Sequence, residues 1–497
     1  TWDIPPVAIL LLGDHGSDQE ISVAAPIWNS YCVSDNVYAD VDGDDLPDIV
    51  TARMSAANGE QLENMVMKIL NYETNPPEDI PFYDNPITSC LFQTGGLSQV
   101  VTESVAGFYE VIHAKSPIRI NVAPSPLPTE WTTSPQGILM VQYFQNLGYL
   151  PSDPSGVNTA WDGTTQDFID GINNGSFMTI YNGQGSEMGW ADPSFLISDL
   201  STLSNQYPTF IWSYAPLSGK FNYSSECFAE AIHRHSHGAL GVVAASEITY
   251  SEPEDVFAFG TIDQLWDEYL PDFGTPVLTE GVFPAFANAS GKYYLYQAPW
   301  IINPNNREVI YHTYHFFGDA FSTLFTEVPQ EPVVEHDPYV IEGEETFDVM
   351  ANTGALIGLS VEGELIGVAS GTGSTVSIPI VPQSPPAGVL LTVTQRNFTR
   401  YTALLPVTIA GDIRETQSQP FNLYPNPAKD RIFIGCQAGT GIRICLYDLS
   451  GREVLSQVRE IRKNEEVRVE TSAIHQGTYL LHLESNGQHA YSKLIIQ

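Results

Sequence analysis

A glutamine stands where a reactive group would be expected. In SFMTIYNGQGSEMGW, Ser176 to Trp190, an apolar run ends in Asn182-Gly183-Gln184-Gly185-Ser186. Two glycines flanking one polar residue at a strand end present that residue to something. An amide has no titratable nitrogen, so Gln184 is neither a general base nor a nucleophile near neutral pH. Cys227, in SSECFAEAIHR, lies early in a helical pattern, where a helix N-terminus lowers a thiol pKa. His233 falls on another face of that helix, so the pair reads as structural. His233, His235 and His237 would share one face on a strand, but on a helix only His233 and His237 do. The segment runs into Gly238 as a helix end, where imidazoles complement the dipole, and that reading is preferred. His15, His312 and His315 show no partner pattern and read as packing residues. In DVDGDDLPD, carboxylates alternate around Gly43 like the opening of a calcium loop. Its twelfth position is Thr51 rather than glutamate, so this is not an EF-hand. Ca2+ on Asp40, Asp42, Asp44 and Asp48 is one expectation; a plain hairpin turn is the other.

These residues need a frame. From Val7 to about Pro329, short apolar runs (VAILLLG, DIVTAR, IRINVA, FMTIYNG, TFIWSYA, GALGVVAAS) alternate with helical patterns such as NGEQLENMVMKILNYE. That alternation predicts a mostly parallel sheet covered on both faces, with chemistry beyond the carboxyl ends of its strands. NGQGS lies at such an end. Near TEVPQEPVVEHDP the helices stop. Residues 331–412 read as short alternating strands separated by Gly, Pro, Asn and Ser, an immunoglobulin-like sandwich without its cysteines. A polar linker, GDIRETQSQP, leads to a second β domain over 413–497, whose turns are DLSG and SNGQ.

The chain has 497 residues and a net charge of −39. Residues 1–412 hold 10 basic against 50 acidic side chains, and residues 413–497 hold 10 against 9. The acidic body repels nucleic acid and anionic lipid, so neither is an expected partner. No apolar run approaches the ~18 residues of a membrane span. Five cysteines (Cys32, Cys90, Cys227, Cys436, Cys445) are too few and too scattered for a disulfide scaffold. Thr1-Trp2-Asp3 enters a strand almost at once, which reads as a boundary inside a longer precursor.

The tail carries the most specific pattern. FNLYPNPAKDRIFI, ICLYDLSGREVL and GTYLLHLESNGQHAYSKLIIQ resemble, in order, the C-terminal sorting domain of type IX secretion cargo in Bacteroidetes. That resemblance implies export to the cell surface, with the outer-membrane secretion machinery as partner of residues 413–497. The body resembles the gingipain-type cysteine peptidases of family C25. AILLLGDHG, SDNVYADVDGDDLPDIVTARMSA, FMTIYNGQGSEMGWADP, SGKFNYSSECFAEAIHR, LGVVAAS and HFFGDAF carry the likeness over about residues 7–325. It implies a caspase-like α/β fold, a partial first subdomain over 1–120, a second subdomain over 121–330, and strand–helix units upstream of residue 1.

The resemblance also gives the glutamine its meaning. Active members place a histidine base between the two glycines; here that position is Gln184. Their cysteine nucleophile ends the next core strand; SYAPLSGKF puts Pro216 there. The acidic residue that orients the histidine in some relatives aligns near Ser125. Losing either base or nucleophile costs on the order of 10^6 in turnover in the serine-protease analogue. The expectation is a secreted or surface pseudopeptidase acting in binding, adhesion or assembly, with a peptide or protein partner at the degenerate cleft. The alternatives are an active endopeptidase with a rearranged nucleophile, Cys227 foremost, and a component of the type IX secretion machinery.

Overall fold

A computed structural model describes all residues except 1–5, 17–19, 273–281, 299–303, 410–420, 437–439, 449–451, 462–465 and 486–487. Residues 1–329 form one compact unit and residues 330–497 another.

The first unit is built on eight strands: β1 (Ala8–Leu12), β2 (Val50–Met54), β3 (Ile87–Cys90), β4 (Ile118–Arg119), β5 (Met178–Asn182), β6 (Thr209–Tyr214), β7 (Ala239–Ala245) and β8 (Tyr314–Phe317). Their order across the sheet is β1-β2-β8-β7-β6-β5-β3-β4. β5, β6 and β7 are buried at every position, as a strand covered on both faces must be. Alternation then sorts their side chains into two cores. Ile180, Phe210, Trp212, Tyr214 and Val243 join one, and Tyr181, Ile211, Val242 and Ala244 the other. The expected parallel sheet is interrupted once. β8 pairs antiparallel with β7 but parallel with β2, so β1, β2 and β8 run against the other five. The amino ends of β2 and β8 therefore share an edge of the sheet with the carboxyl ends of β5, β6 and β7.

One sheet runs across residue 120, where the resemblance implies a division into subdomains. β3 and β4, both before that point, pair with each other, and β3 pairs with β5. Helix α1 (Gly59–Thr74) matches its predicted pattern, with the Asn58 side chain accepting from the Gln61 amide at its start. The helix predicted in SSECFAEAIHRH is shorter: α2 spans Phe228–Arg234, and Cys227 is its cap rather than part of its first turn. Two further helices matter below, α3 (Pro253–Leu265) and α4 (Arg307–Thr313). Among the described residues, no helix is long and apolar enough to cross a membrane.

The second unit is β-rich, as expected. Residues 334–408 form a three-stranded and a five-stranded sheet, and Phe347, Val349 and Ile378 of one share a core with Ile357, Leu359, Val389 and Leu391 of the other. Residues 421–496 form a three-stranded and a four-stranded sheet around a further core. All of the linker GDIRETQSQP lies outside the described residues.

Candidate active-site position

β5 and β6 run side by side with Asn182 opposite Tyr214. Pairing continues one residue further, since the Gly183 amide donates to the Tyr214 carbonyl at 3.0 Å. Gln184 and Pro216 each lie two residues beyond that matched pair, so they crown adjacent strand ends. The loops touch: a Cβ on Gly185 would sit 2.8 Å from the Pro216 carbonyl oxygen and 2.9 Å from the Ala215 Cβ. A Cβ on Gly183 would meet the Tyr181 hydroxyl at 2.8 Å. Close approach, rather than a left-handed backbone, is why both positions are glycine.

Both loops are held firmly. The Gln184 carbonyl accepts from the Tyr181 hydroxyl at 2.8 Å and from the Ala191 amide at 3.0 Å, while the residue itself is exposed. Trp190 stacks on Tyr181 with ring centres 4.6 Å apart and donates its indole N–H to Ser213 Oγ at 2.8 Å. Ser213 in turn contacts Ser218 Oγ at 2.8 Å, and Ser218 donates to the Ala215 carbonyl. The first amides of α2 tie the two loops together, Phe228 donating to Glu187 O at 2.8 Å and Ala229 to Ser218 O at 2.9 Å. Lys220 bridges from above, 2.9 Å from Glu247 and 3.9 Å from Glu187. Leu217 has φ +66°, a backbone conformation a leucine holds only when its surroundings impose it.

The chemistry available here is limited. Gln184 cannot carry a proton between donor and acceptor. Pro216 supplies no nucleophile, and it also lacks the backbone N–H that acyl-transfer enzymes commonly aim at a developing oxyanion. Cys227 is the foremost alternative thiol named from the sequence. Its side chain is wholly buried, and burial together with Glu230 pushes its thiol well above the usual range. Cys32, Cys90 and Cys445 are buried as well, and burial pushes the Cys32 thiol up to about 12. Ser125 is exposed on the extension of β4, and β3 separates that strand from β5. The residue that adjoins Asn182 is Leu91, whose amide donates to the Asn182 carbonyl at 3.2 Å.

Two carboxylates lie buried at the start of α3, the first of them against Thr249 in the loop after β7. Asp255 accepts from the Asn182 side-chain amide at 2.9 Å, and the Thr249 hydroxyl donates to Glu254. Burial, then the Asp255 charge, raises the Glu254 carboxyl from 4.5 to about 8. Unfolded, it releases its proton near 4.5; folded, it keeps it to about 8. The stability contributed by that linkage is complete below 4.5 and is lost as pH rises to 8. Glu254→Gln is expected to flatten this decline, by up to about 1.4 kcal/mol per pH unit. Urea midpoints between pH 5 and pH 8 check it, and parallel curves for both proteins would contradict it.

The acidic loop gathers three of its four named carboxylates. Oxygens of Asp40, Asp42 and Asp48 lie within 4.8 Å of one another. Asp44 is outside this group and accepts from the Leu46 amide at 2.9 Å. Asp40 accepts from the amides of Gly43, Asp44 and Asp45, and Asp48 from those of Val41 and Asp42, so both also serve the turn. Asp44 and Asp48 push the Asp42 carboxyl upward. The histidine triplet does not converge. Among the described residues neither ring nitrogen of the buried His233 has a hydrogen-bond partner, and His237 contacts the Asn205 carbonyl at 2.9 Å.

His312, read as a packing residue, is the organiser of a network that local pattern did not disclose. Its ring lies 4.3 Å from that of Trp28, stacked at 11°. Nδ1 is 3.0 Å from Ser34 Oγ and Nε2 is 2.9 Å from Asp45 Oδ1. Ser34 is wholly buried, which denies this Ser–His–Asp arrangement any substrate.

Comparison with known proteins agrees with this architecture. The profile of peptidase family C25 matches residues 1–325, and that of the secretion system C-terminal sorting domain matches residues 422–497. Gingipain R2 of Porphyromonas gingivalis is 24% identical over 98% of this chain, which covers 59% of that protein. Lys-gingipain W83 of the same species is 23% identical over 70% of this chain and 19% of that protein. The chain thus spans about three fifths or less of these relatives' length. The crystal structure of the Arg-specific cysteine proteinase gingipain R superposes with a TM-score of 0.60 at 21% identity, covering 81% of this chain and 84% of that one. The likeness is one of fold, a caspase-like α/β core.

Proposed function

The chain belongs to peptidase family C25, and from that premise we propose that it keeps the peptidase scaffold without the peptidase chemistry. It carries a type IX sorting domain and is a secreted or outer-surface protein of the Bacteroidetes kind. In this reading it is catalytically inactive and acts by binding, in adhesion or in assembly at the surface, with residues 413–497 engaging the outer-membrane secretion machinery. One observation carries the proposal: Gln184 and Pro216 crown adjacent strands with their loops in contact. They occupy the two places where a base and a nucleophile would have to meet. A rearranged thiol nucleophile is disfavoured by the burial of Cys32, Cys90, Cys227 and Cys445. The layered sheets of residues 334–408 are read here as an immunoglobulin-like module. Calcium is a subordinate part of the reading. Asp40, Asp42 and Asp48 offer hard oxygen donors, and calorimetric titration with Ca2+ decides between an ion and turn capping alone.

The cleft between the loops, rimmed by Lys220, Glu187 and Glu247, is where an extended peptide would lie. A library of extended peptides presented to the full chain is expected to yield binders that Gln184→Arg and Lys220→Met weaken by about ten-fold or more. Binding untouched by both variants would remove the cleft from the account.

A further inference from the structure

A cavity away from Gln184 and Pro216 has a chemistry of its own. Its volume is about 410 Å³, and Trp28, Tyr31, Tyr250, Asn305, Glu308 and Val309 are among the residues lining it. It is built from an N-terminal hairpin, the loop after β7 and the start of α4. The cleft is built on the ends of β5 and β6, so neither site depends on the other.

The aromatic walls are fixed by the backbone. Trp28 and Tyr31 are the first and fourth residues of a turn closed by the Tyr31 amide donating to the Trp28 carbonyl at 2.8 Å. Its central residues, Asn29 and Ser30, have φ of +48° and +56°, and Trp28 pairs with Cys32 across a three-residue loop. The Tyr31 hydroxyl donates to the Ile248 carbonyl at 2.6 Å, which locks its ring against the segment carrying Tyr250.

The electrostatics all have one sign. One face of Trp28 is covered by His312, so its opposite face is the one left to offer. Asp45 Oδ1 accepts from the Trp28 indole N–H at 3.2 Å and lies 2.9 Å from His312 Nε2. A carboxylate only accepts, so Nε2 carries the hydrogen and Nδ1 is left to accept from Ser34. Burial holds this imidazole neutral, its pKa lowered to about 4, so no positive charge lies behind the indole. An indole N–H donating to a carboxylate makes the ring face more electron-rich, which strengthens its attraction for a cation. The Glu308 carboxylate has no hydrogen-bond or ion-pair partner among the described residues. No Lys, Arg or His is among the described residues lining the cavity; the adjacent Arg307 is directed to the Tyr296 carbonyl at 3.0 Å. Asp44 acts on Tyr311, one helical turn from Glu308, so the acidic loop adds negative potential beside this site.

We propose that this cavity binds an organic ammonium group, held between the faces of Trp28, Tyr31 and Tyr250 and neutralised by Glu308. A methylated headgroup and a lysine side chain share that chemistry, and different probes separate them. The full chain is titrated with choline, with Nα-acetyl-lysine methylamide, and with 3,3-dimethylbutan-1-ol, which has choline's shape without its charge. Binding is read by calorimetry and by ligand-observed NMR. At least one ammonium probe is expected to bind about ten-fold or more tightly than the neutral alcohol. Choline binding alone identifies a methylated group, and binding of the lysine derivative alone identifies a side chain. Glu308→Gln is expected to weaken the bound probe by about five-fold or more. Tyr250→Ala removes one wall, and Tyr250 is 42% exposed, so an unchanged melting curve confirms that any loss is local. Equal binding of the neutral alcohol, no binding of either ammonium probe, or binding unaltered in both variants overturns the proposal.

Discussion

A chain carrying both Gln184→His and Pro216→Cys is expected to react at position 216 with a peptidyl chloromethyl ketone, whereas the native chain and either single variant stay unmodified. Positions 184 and 216 each follow the matched pair Asn182 and Tyr214 by two residues on neighbouring strands. Adjacent strands lie about 4.8 Å apart, which brings side chains on their ends within reach of each other. A thiol without a base, or an imidazole without a thiol, lacks half of the covalent route, and in the serine-protease analogue either loss alone costs on the order of 10^6. The Pro216 replacement does two things at once, supplying the thiol and restoring a backbone N–H. Labelling is therefore expected to recover more fully than turnover, which also needs a substrate held in register. Mass spectrometry of the intact double variant gives the answer. A folded double variant that stays unlabelled would mean that the loops, fixed by Tyr181, Ser218 and Leu217, do not bring the two groups together.

The largest effect on stability is expected at Arg53. Its side chain is wholly inaccessible to solvent and forms a fork with Asp35, Nε to Oδ2 at 2.8 Å and Nη2 to Oδ1 at 2.7 Å. Nη1 donates to the carbonyls of Gly13 at 2.7 Å and Val23 at 2.8 Å, and the guanidinium lies 4.8 Å from the Phe221 ring centre. Arg53→Met leaves a buried carboxylate and two carbonyls without their donor. Removing one partner of a buried pair costs about 3–5 kcal/mol, because the remaining charge is uncompensated. Replacing both partners, Arg53→Met with Asp35→Leu, is expected to recover much of that loss, since no charge then remains buried. Urea midpoints of the two variants test both statements. A single variant within about 1 kcal/mol of the native chain would show that Asp35 finds another partner.

What the sequence disclosed followed its local regularities. The runs ending in NGQGS and SYAP are strands because they are continuously apolar, and their placement beside each other follows from α/β alternation. The glycines around Gln184 read as presenting it, and what they meet is close approach, Gly183 to the Tyr181 hydroxyl two residues back and Gly185 to the Pro216 carbonyl of the neighbouring strand. Long-range pairing was invisible. His312 finds Ser34 and Asp45 across 278 and 267 residues, and nothing near VIYHTYH announces either partner. The antiparallel arrival of β8, the pairing of β3 with β5, and the separation of Ser125 from β5 belong to the same class. Cys227 illustrates a conflict of effects. A helix start lowers a thiol pKa in isolation, but full burial beside Glu230 outweighs the dipole of a seven-residue helix.

The most direct measurement is made on the native full chain. It is incubated with a thiol-directed peptidyl probe and with a mixed peptide library, and both protein and peptides are weighed by mass spectrometry. An unaltered protein mass and an uncut library are expected, because position 184 holds an amide and position 216 a ring without thiol or N–H. A stoichiometric adduct on any cysteine, or peptide products that disappear when that cysteine is replaced, would contradict it.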